Sequence, residues 1–328
     1  MINVCLFGAG RIGAVHAANI ARHSEVNICY VVDAYEPAAQ KLATLYGATV
    51  VSAEHALADP KVDGVIIASS TNTHANLMEL AARAKKAIFC EKPVDLSVKR
   101  VRECLAIVKE MGVVCSIGFN RRYDPQFSAL KQAIVAGEIG NLEMLTITSR
   151  DPSPPPIEYI EVSGGLFRDM MIHDFDMARW LLDEEVVEVF ATASCQVDAA
   201  IGSAGDVDTA LVTLKTASGK LCQISNSRRA SYGYDQRVEA FGSKGMAQVA
   251  NQTESTLTLT NGLGRMSAKP EYFFLERYNN AYRLELDNFV ACIRNEAVPV
   301  AGPMEGLQSL ILAEAAVESL RTAKAISL

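Results

Sequence analysis

The chain has 328 residues, a length that suggests two domains. Hydrophobic residues make up 49% and charged residues 21%, a globular mixture with ample material for a core, which excludes a disordered chain. A net charge of −7 makes a phosphate backbone a poor partner, so no nucleic acid is expected.

No apolar stretch approaches the ~20 residues of a membrane span, so no membrane is expected either. The opening MINVCLFGAG runs straight into a strand pattern with no basic leader, and a cytoplasmic protein is expected. The eight cysteines are scattered through apolar runs without a CxxC, which reads as reduced thiols in a core.

From residue 1 to about 118, strand and helix patterns alternate. NVCLFGAG is a short apolar run ending in glycine, and RIGAVHAANIARH follows with helical periodicity. NICYVVDA closes on Asp33, and EPAAQKLATLYG reads as a helix stopped by Gly47. GVIIASST, AIFCEKP and VVCSIGFN are further continuous apolar runs, separated by helices near 73–84 and 97–111. Continuous apolar strands imply burial on both faces. The expected fold is therefore α/β, with an N-terminal doubly wound parallel sheet of Rossmann type.

From about 140 the pattern turns to partly alternating strands: LEMLTITSR, VEVFATASCQV, TALVTLKTASGKLCQISNS, DQRVEAFGSKGMAQVA and STLTLTNG. Turns are expected at Ala217-Ser218-Gly219 and Ser243-Lys244-Gly245. This predicts an open, mainly antiparallel sheet with one face covered by helices near 165–182, 279–296 and 304–323. DPSPPPIEY (151–159) is too rich in proline for a central strand and is expected as a loop near the site or an intersubunit arm. The expected domains are 1–119, binding dinucleotide, and 120–328, binding substrate and supporting oligomerisation.

Gly8-Ala9-Gly10-Arg11-Ile12-Gly13 matches GxGxxG, follows a strand and opens a helix. Its glycines permit a tight turn, and the helix N-terminus offers free N–H groups to a pyrophosphate. Asp33 ends the next strand, where a carboxylate accepts hydrogen bonds from a ribose diol and repels a 2′-phosphate. No Arg or Lys follows it at Ala34-Tyr35, so NAD is favoured over NADP. In Ser69-Ser70-Thr71-Asn72-Thr73-His74, Thr71 and Asn72 are candidates for the cofactor, and Asn72 or Thr73 equally for a helix N-cap. His74 is either a cofactor contact or a first-turn helix residue.

Glu91-Lys92-Pro93 again sits at a strand's carboxyl end, and proline there permits a cis bond. Asp169 and His173 are spaced i, i+4 on the expected helix, sharing a face. The carboxylate can then orient the imidazole as a base while Lys92 supplies a cation to the reacting oxygen. Asp174 and Asp176 fall on other faces, as solvated residues, and Trp180 reads as core. No HExxH, second nearby histidine, GxSxG or Cys/His constellation points to a metal or to acyl transfer.

GAGRIG, the strand-end Asp33, the EKP tripeptide, GFNRRYDP (118–125) and GGLFRDMMIHDFD (164–176) together resemble the Gfo/Idh/MocA oxidoreductase family over nearly the whole chain. GFNRRYDP and SRRASYGYDQR (227–237) look most like its inositol 2-dehydrogenases. The resemblance implies a C-terminal α/β domain whose open sheet builds a homodimer or homotetramer, and a small polyol or sugar substrate. It implies NAD held by Gly8, Gly10, Arg11, Ile12, Asp33, Ser70, Thr71, Asn72, His74, Glu91 and Lys92. It also implies Lys92 on the substrate hydroxyl, His173 as base and Asp169 as its partner, with Asn120, Arg121, Asp151 and Tyr234 lining the pocket. Asn120 stands where a methionine can occur, and Asp151 replaces an amide residue, which leaves the particular polyol open. Other readings are a sugar or sugar-acid dehydrogenase and a non-catalytic dinucleotide-binding regulator.

Overall fold

The computed structural model describes all 328 residues. The chain divides into two compact units, Met1–Tyr123 with Ala281–Leu310, and Asp124–Asn280 with Ile311–Leu328. Residues 281–310 therefore group with the N-terminal unit and not with the rest of 120–328.

The first unit holds strands β1 (Ile2–Phe7), β2 (Val26–Val32), β3 (Thr49–Val50), β4 (Gly64–Ile67), β5 (Ala87–Glu91) and β6 (Cys115–Gly118). Between them run α1 (Arg11–Arg22), α2 (Glu36–Tyr46), α3 (Ala53–Ala58), α4 (Thr71–Arg83) and α5 (Val98–Met111). The sheet order is β3-β2-β1-β4-β5-β6, all parallel, with the order reversing between β1 and β4. That reversal opens the crevice in which doubly wound sheets bind ligands. β4, β5 and β6 are buried throughout, as their unbroken apolar runs require. Gly47 ends α2 in the left-handed conformation, as expected. β3 and α3 are too short to leave a periodic signal in the sequence.

In the second unit, α6 (Pro125–Val135) precedes β7 (Leu142–Arg150). Three helices follow: α7 (Ile157–Ser163), α8 (Gly165–Asp169) and α9 (Ile172–Leu182). Next come β8 (Val186–Ser194), α10 (Ala199–Ser203), β9 (Thr209–Thr216), β10 (Leu221–Ser227), β11 (Asp235–Gly242) and β12 (Gly245–Val249). A small hairpin of β13 (Thr258–Asn261) and β14 (Gly264–Ser267) leads to α11 (Phe274–Arg277). α12 (Asn279–Ile293), α13 (Pro303–Thr322) and β15 (Ile326–Ser327) complete the chain. The sheet order is β12-β11-β7-β10-β9-β8-β15, antiparallel except where β7 and β10 run parallel. β9 and β10 alternate buried and exposed residues along their length, so one face of this sheet is covered and the other is not.

Three local expectations are corrected. The helix near 279–296 does not cover this sheet: Leu286, Phe289 and Val290 of α12 pack in the N-terminal core with Val4, Leu6 and Phe89. α6, carried by its Asp124 cap, instead packs on β11 and β12. The proline-dense loop is shorter than expected, because α7 begins at Ile157 directly after Pro156. The helix expected over 165–182 breaks at Met170-Met171. Both of those N–H groups bond to Leu166 O, and the His173 N–H reaches Met170 O at 3.4 Å instead of continuing the ladder to Asp169.

Candidate active site

The strand ends of the first unit bring four sequence segments to one edge of the parallel sheet. The glycine turn links β1 to α1. Gly13 is obligatory there, since a Cβ on it would stand 2.0 Å from Gly8 O, so the start of the helix packs directly on the turn. Gly10 is different: a Cβ on it would meet nothing within 4 Å, and it caps α1 without any side-chain hydrogen bond. The N-terminal N–H groups of α1 thus lie beside an open, glycine-lined approach, with Arg11 exposed and Ile12 half-buried next to it. This is the cradle that a pyrophosphate needs, and the residues fit NAD.

Asp33 follows β2 and reaches back to this turn. Its Oδ2 accepts the Ala9 N–H at 2.6 Å, and its Oδ1 accepts the Tyr35 N–H at 2.7 Å. A carboxylate has about four lone-pair sites, so both oxygens keep capacity for a ribose diol.

After β4, Ser70 and not Asn72 or Thr73 occupies the cap position of α4, and Thr71 opens the helix. Thr73 is drawn inward instead: its hydroxyl donates to Ser70 O at 2.7 Å and lies 2.7 Å from Ser69 Oγ. Asn72 and Ser70 are left exposed. His74 is buried, with its ring nitrogens 2.8 Å from Pro93 O and 3.0 Å from Ser69 O. The imidazole bridges the β4 and β5 loops of this edge.

β5 ends in Glu91, followed by Lys92 and a cis Lys92–Pro93 bond. Glu91 is buried and its Oε1 lies 2.7 Å from His16 Nε2 of α1. Lys92 is half-buried. β6 runs into a 3₁₀ turn, Asn120–Tyr123, which buries Asn120 and Arg121. Glu285, from α12, is also buried in this unit, and neither of its carboxyl oxygens has a protein hydrogen-bond partner. Burial pushes its pKa far above the carboxylate range, and the charge of Glu91 adds to the effect.

In the second unit the chemistry gathers where β7 and β10 end in parallel. Asp151 continues that pairing, its N–H donating to Ser227 O at 3.0 Å. Gly164 and Gly165 both have positive φ. A Cβ on Gly165 would stand 2.6 Å from Asp206 Oδ1, and the Asp206 oxygens accept the Leu166 N–H at 3.0 and 3.1 Å. This turn aims α8 so that Asp169, its last residue, receives the Tyr159 hydroxyl on Oδ1 at 2.9 Å. The other oxygen, Oδ2, lies 3.8 Å from Nη1 of Arg228.

His173, half-buried, follows across the Met170-Met171 break. Asp174 and Asp176 are corrections: both are fully buried, and Asp174 Oδ2 accepts Asn226 Nδ2–H at 2.9 Å. Tyr234 is buried, its N–H donating to Glu271 O at 2.9 Å and its ring edge-on to Tyr278 at 5.9 Å. Its neighbour Asp235 is also buried. Burial alone would raise the Asp235 carboxyl, but hydrogen bonds from Arg237, Tyr232 and Asn251 outweigh it and hold the group low.

Asp235, Asp206 and Arg228 were not singled out from the sequence. Arg228 is adjacent to Arg229, and one is buried while the other is exposed. The period of two along β10, carried one residue past Ser227, puts Arg228 on the buried side with Cys222, Ile224 and Asn226.

Residues 2–119 match an oxidoreductase family with an NAD-binding Rossmann fold, Gfo/Idh/MocA, and residues 127–248 match the Gfo/Idh/MocA C-terminal domain. A relative from Rhizobium meliloti, an inositol 2-dehydrogenase, is 49% identical over 98% of both chains. The chain belongs to the Gfo/Idh/MocA oxidoreductase family. Among solved structures, a myo-inositol dehydrogenase from Corynebacterium glutamicum superposes with a TM-score of 0.95 at 42% identity, covering 100% of this chain and 99% of the other. A scyllo-inositol dehydrogenase from Lactobacillus casei, solved with NAD(H) and scyllo-inositol, gives 0.93 at 25% identity over 100% and 99%. The Gfo/Idh/MocA match covers the glycine turn and Asp33 with an NAD-binding Rossmann domain, so NAD is the cofactor.

Proposed function

We propose that this protein oxidises a secondary hydroxyl of a cyclic polyol with NAD, as a myo-inositol 2-dehydrogenase. The observation that carries the reading is end-to-end likeness to the R. meliloti inositol 2-dehydrogenase in a chain that keeps Lys92, Asp169 and His173. In this reading His173 takes the hydroxyl proton, and Lys92 steadies the oxygen as negative charge develops on it. Asp169 orients and charge-balances the imidazole. Gly8, Gly10, Arg11, Ile12, Asp33, Ser70, Thr71, Asn72, His74, Glu91 and Lys92 serve the cofactor side. Asn120, Arg121, Asp151 and Tyr234 contact the polyol, whose many O–H donors suit the Asp151 carboxylate. Bound NAD supplies the hydride acceptor.

A cytoplasmic homodimer or homotetramer completes the proposal. All eight cysteines are free thiols, which suits a reducing compartment, and no helix is long and apolar enough to cross a membrane. The uncovered face of the second sheet carries Met246, Phe241, Met144 and Leu221 in register across four strands, each more than two-fifths exposed. Such a row is suited to a second copy of the chain.

The test is to follow NADH formation with myo-inositol, scyllo-inositol, glucose and galactose, with NAD and NADP side by side. The expected result is rapid NADH formation with myo-inositol and weak reaction with NADP. A protein that reduces NAD with none of the inositols would reject the reading.

A further inference from the structure

Arg228 is the largest fully buried side chain of the protein, with a side-chain exposure of 1%. Its backbone is fixed on both sides. Its own N–H donates to Asp208 O at 2.8 Å, and Ser227, just before it, accepts the Asp151 N–H. Asp208 is itself a rigid support: burial would raise its carboxyl, but the N–H groups of Gln196, Val197 and Asp198 outweigh that and hold it low. The guanidinium lies between two carboxylates, 3.8 Å from Asp169 Oδ2 and 3.6 Å from Asp206 Oδ2. Two of its donors, Nε and Nη2, have no hydrogen-bond partner. A buried cation with unused donors is costly to fold, and an apolar residue of similar size would fill the same volume at less cost. Packing therefore does not explain an arginine here, whereas its charge does.

We propose that Arg228 is a positioning residue of the dehydrogenase site, whose positive charge holds the Asp169 carboxylate in place and thereby sets the pH range over which His173 works as a base. The inference rests on the catalytic roles proposed above for Asp169 and His173. Within the second unit, Asp169 meets the Tyr159 hydroxyl of α7 and the Arg228 guanidinium after β10, and Asp206 after α10 lies on the other side of that guanidinium. Arg168 is committed to Glu314 and Gly164 O. Arg228 pairs with Asp169, and Asp206 competes with Asp169 for the same charge.

The two charges make opposite predictions. Arg228→Gln removes a positive charge, so His173 holds its proton more tightly, and the acid limb of kcat/KM for myo-inositol moves to higher pH. Arg228→Lys restores most of the displacement. Asp206→Asn removes the competing negative charge and moves the limb to lower pH. A second readout needs no turnover: the NMR titration of the His173 ring, assigned with His173→Asn, moves the same way, by on the order of half a unit to one unit. Opposite displacements in Arg228→Gln and Asp206→Asn support the inference. An unmoved His173 titration in both, or a loss of rate at unchanged pH profile, overturns it. A parent enzyme that oxidises no inositol would sink the polyol reading, and the ring titration would still decide the role of Arg228.

Discussion

Glu91 Oε1 lies 2.7 Å from His16 Nε2, so the helix that starts at the glycine turn is tied to the strand end that carries Lys92. Two segments 75 residues apart share one hydrogen-bonding contact beneath the cofactor edge. The His16 ring is packed edge-on against Phe89 at 5.1 Å and Tyr282 at 5.9 Å, which keeps the pair dry. The buried Glu285 lies in the same unit and feels the charge of Glu91.

Glu285 makes stability depend on pH. Burial raises its folded-state pKa above the unfolded value, so the native state binds the extra proton. The stability it contributes is complete below the ordinary carboxylate range and is lost as pH rises through the folded-state value. Each unit of that window is worth roughly 1.4 kcal/mol. Glu285→Gln keeps the shape and removes the ionisation. The variant should melt higher than the parent at pH 8, by about 2–4 °C for each kcal/mol recovered, with little difference at pH 4. Thermal melts across that range decide it, and a constant offset at every pH would contradict the buried-proton account.

Asp33 does two things at once. It accepts the Ala9 N–H of the glycine turn, and it stands where a ribose diol is expected. Asp33→Ala should therefore raise KM for NAD by roughly 10–100-fold, the loss of one or two charge-assisted hydrogen bonds. The same change removes the repulsion of a 2′-phosphate, so KM for NADP should rise less or fall. Initial rates with both coenzymes measure the ratio; an unchanged preference would take Asp33 out of the ribose site.

The sheet of the first unit was legible because both its faces are buried. Runs such as GVIIASS and AIFCE can then be continuous, and the strand-end Asp33 and Lys92 fall at the ligand edge of any doubly wound sheet. The antiparallel strands of the second unit were legible by alternation. What stayed hidden was local competition and long-range pairing. GGLFRDMMIHDFD has helical composition throughout, yet Leu166 O takes two N–H groups and splits it between Asp169 and His173. Asp174 and Asp176 look like surface carboxylates until Asn226, 52 residues away from Asp174, is seen to satisfy the first of them in the interior. Arg228 faces the same limit, since its partners Asp169 and Asp206 are distant in sequence.

His173 and Lys92 are expected to fail differently. General-base assistance is worth roughly 10²–10⁴-fold, so His173→Ala should lower kcat by that factor and leave KM for NAD nearly unchanged. Activity should return in part with added imidazole if only the base is missing. Lys92→Ala should lower kcat through lost stabilisation of the substrate oxygen, by about 10²–10³-fold, without such rescue. Steady-state rates with and without imidazole separate the two roles. Full turnover in either alanine variant would remove that residue from the chemistry.

The row Met246, Phe241, Met144 and Leu221 lies across β12, β11, β7 and β10 through direct cross-strand pairs: Met246 with Phe241, Phe241 with Met144, and Met144 with Leu221. Alternation puts the opposite face of these strands in the core, so the row cannot turn inward without a register slip that would expose Leu145, Ile147 and Ile224. Apolar surface of this kind gains about 25 cal/mol for each Å² removed from water, which favours pairing of two copies through this face. Met144→Lys combined with Phe241→Lys sets like charges in the middle of the row while leaving the inner face untouched. The double variant should elute as a smaller species by light scattering, with unchanged circular dichroism, and its melting should lose the concentration dependence of an associated parent. A parent that is already monomeric at micromolar concentration, or a double variant of unaltered mass, would place the subunit contact elsewhere on the molecule.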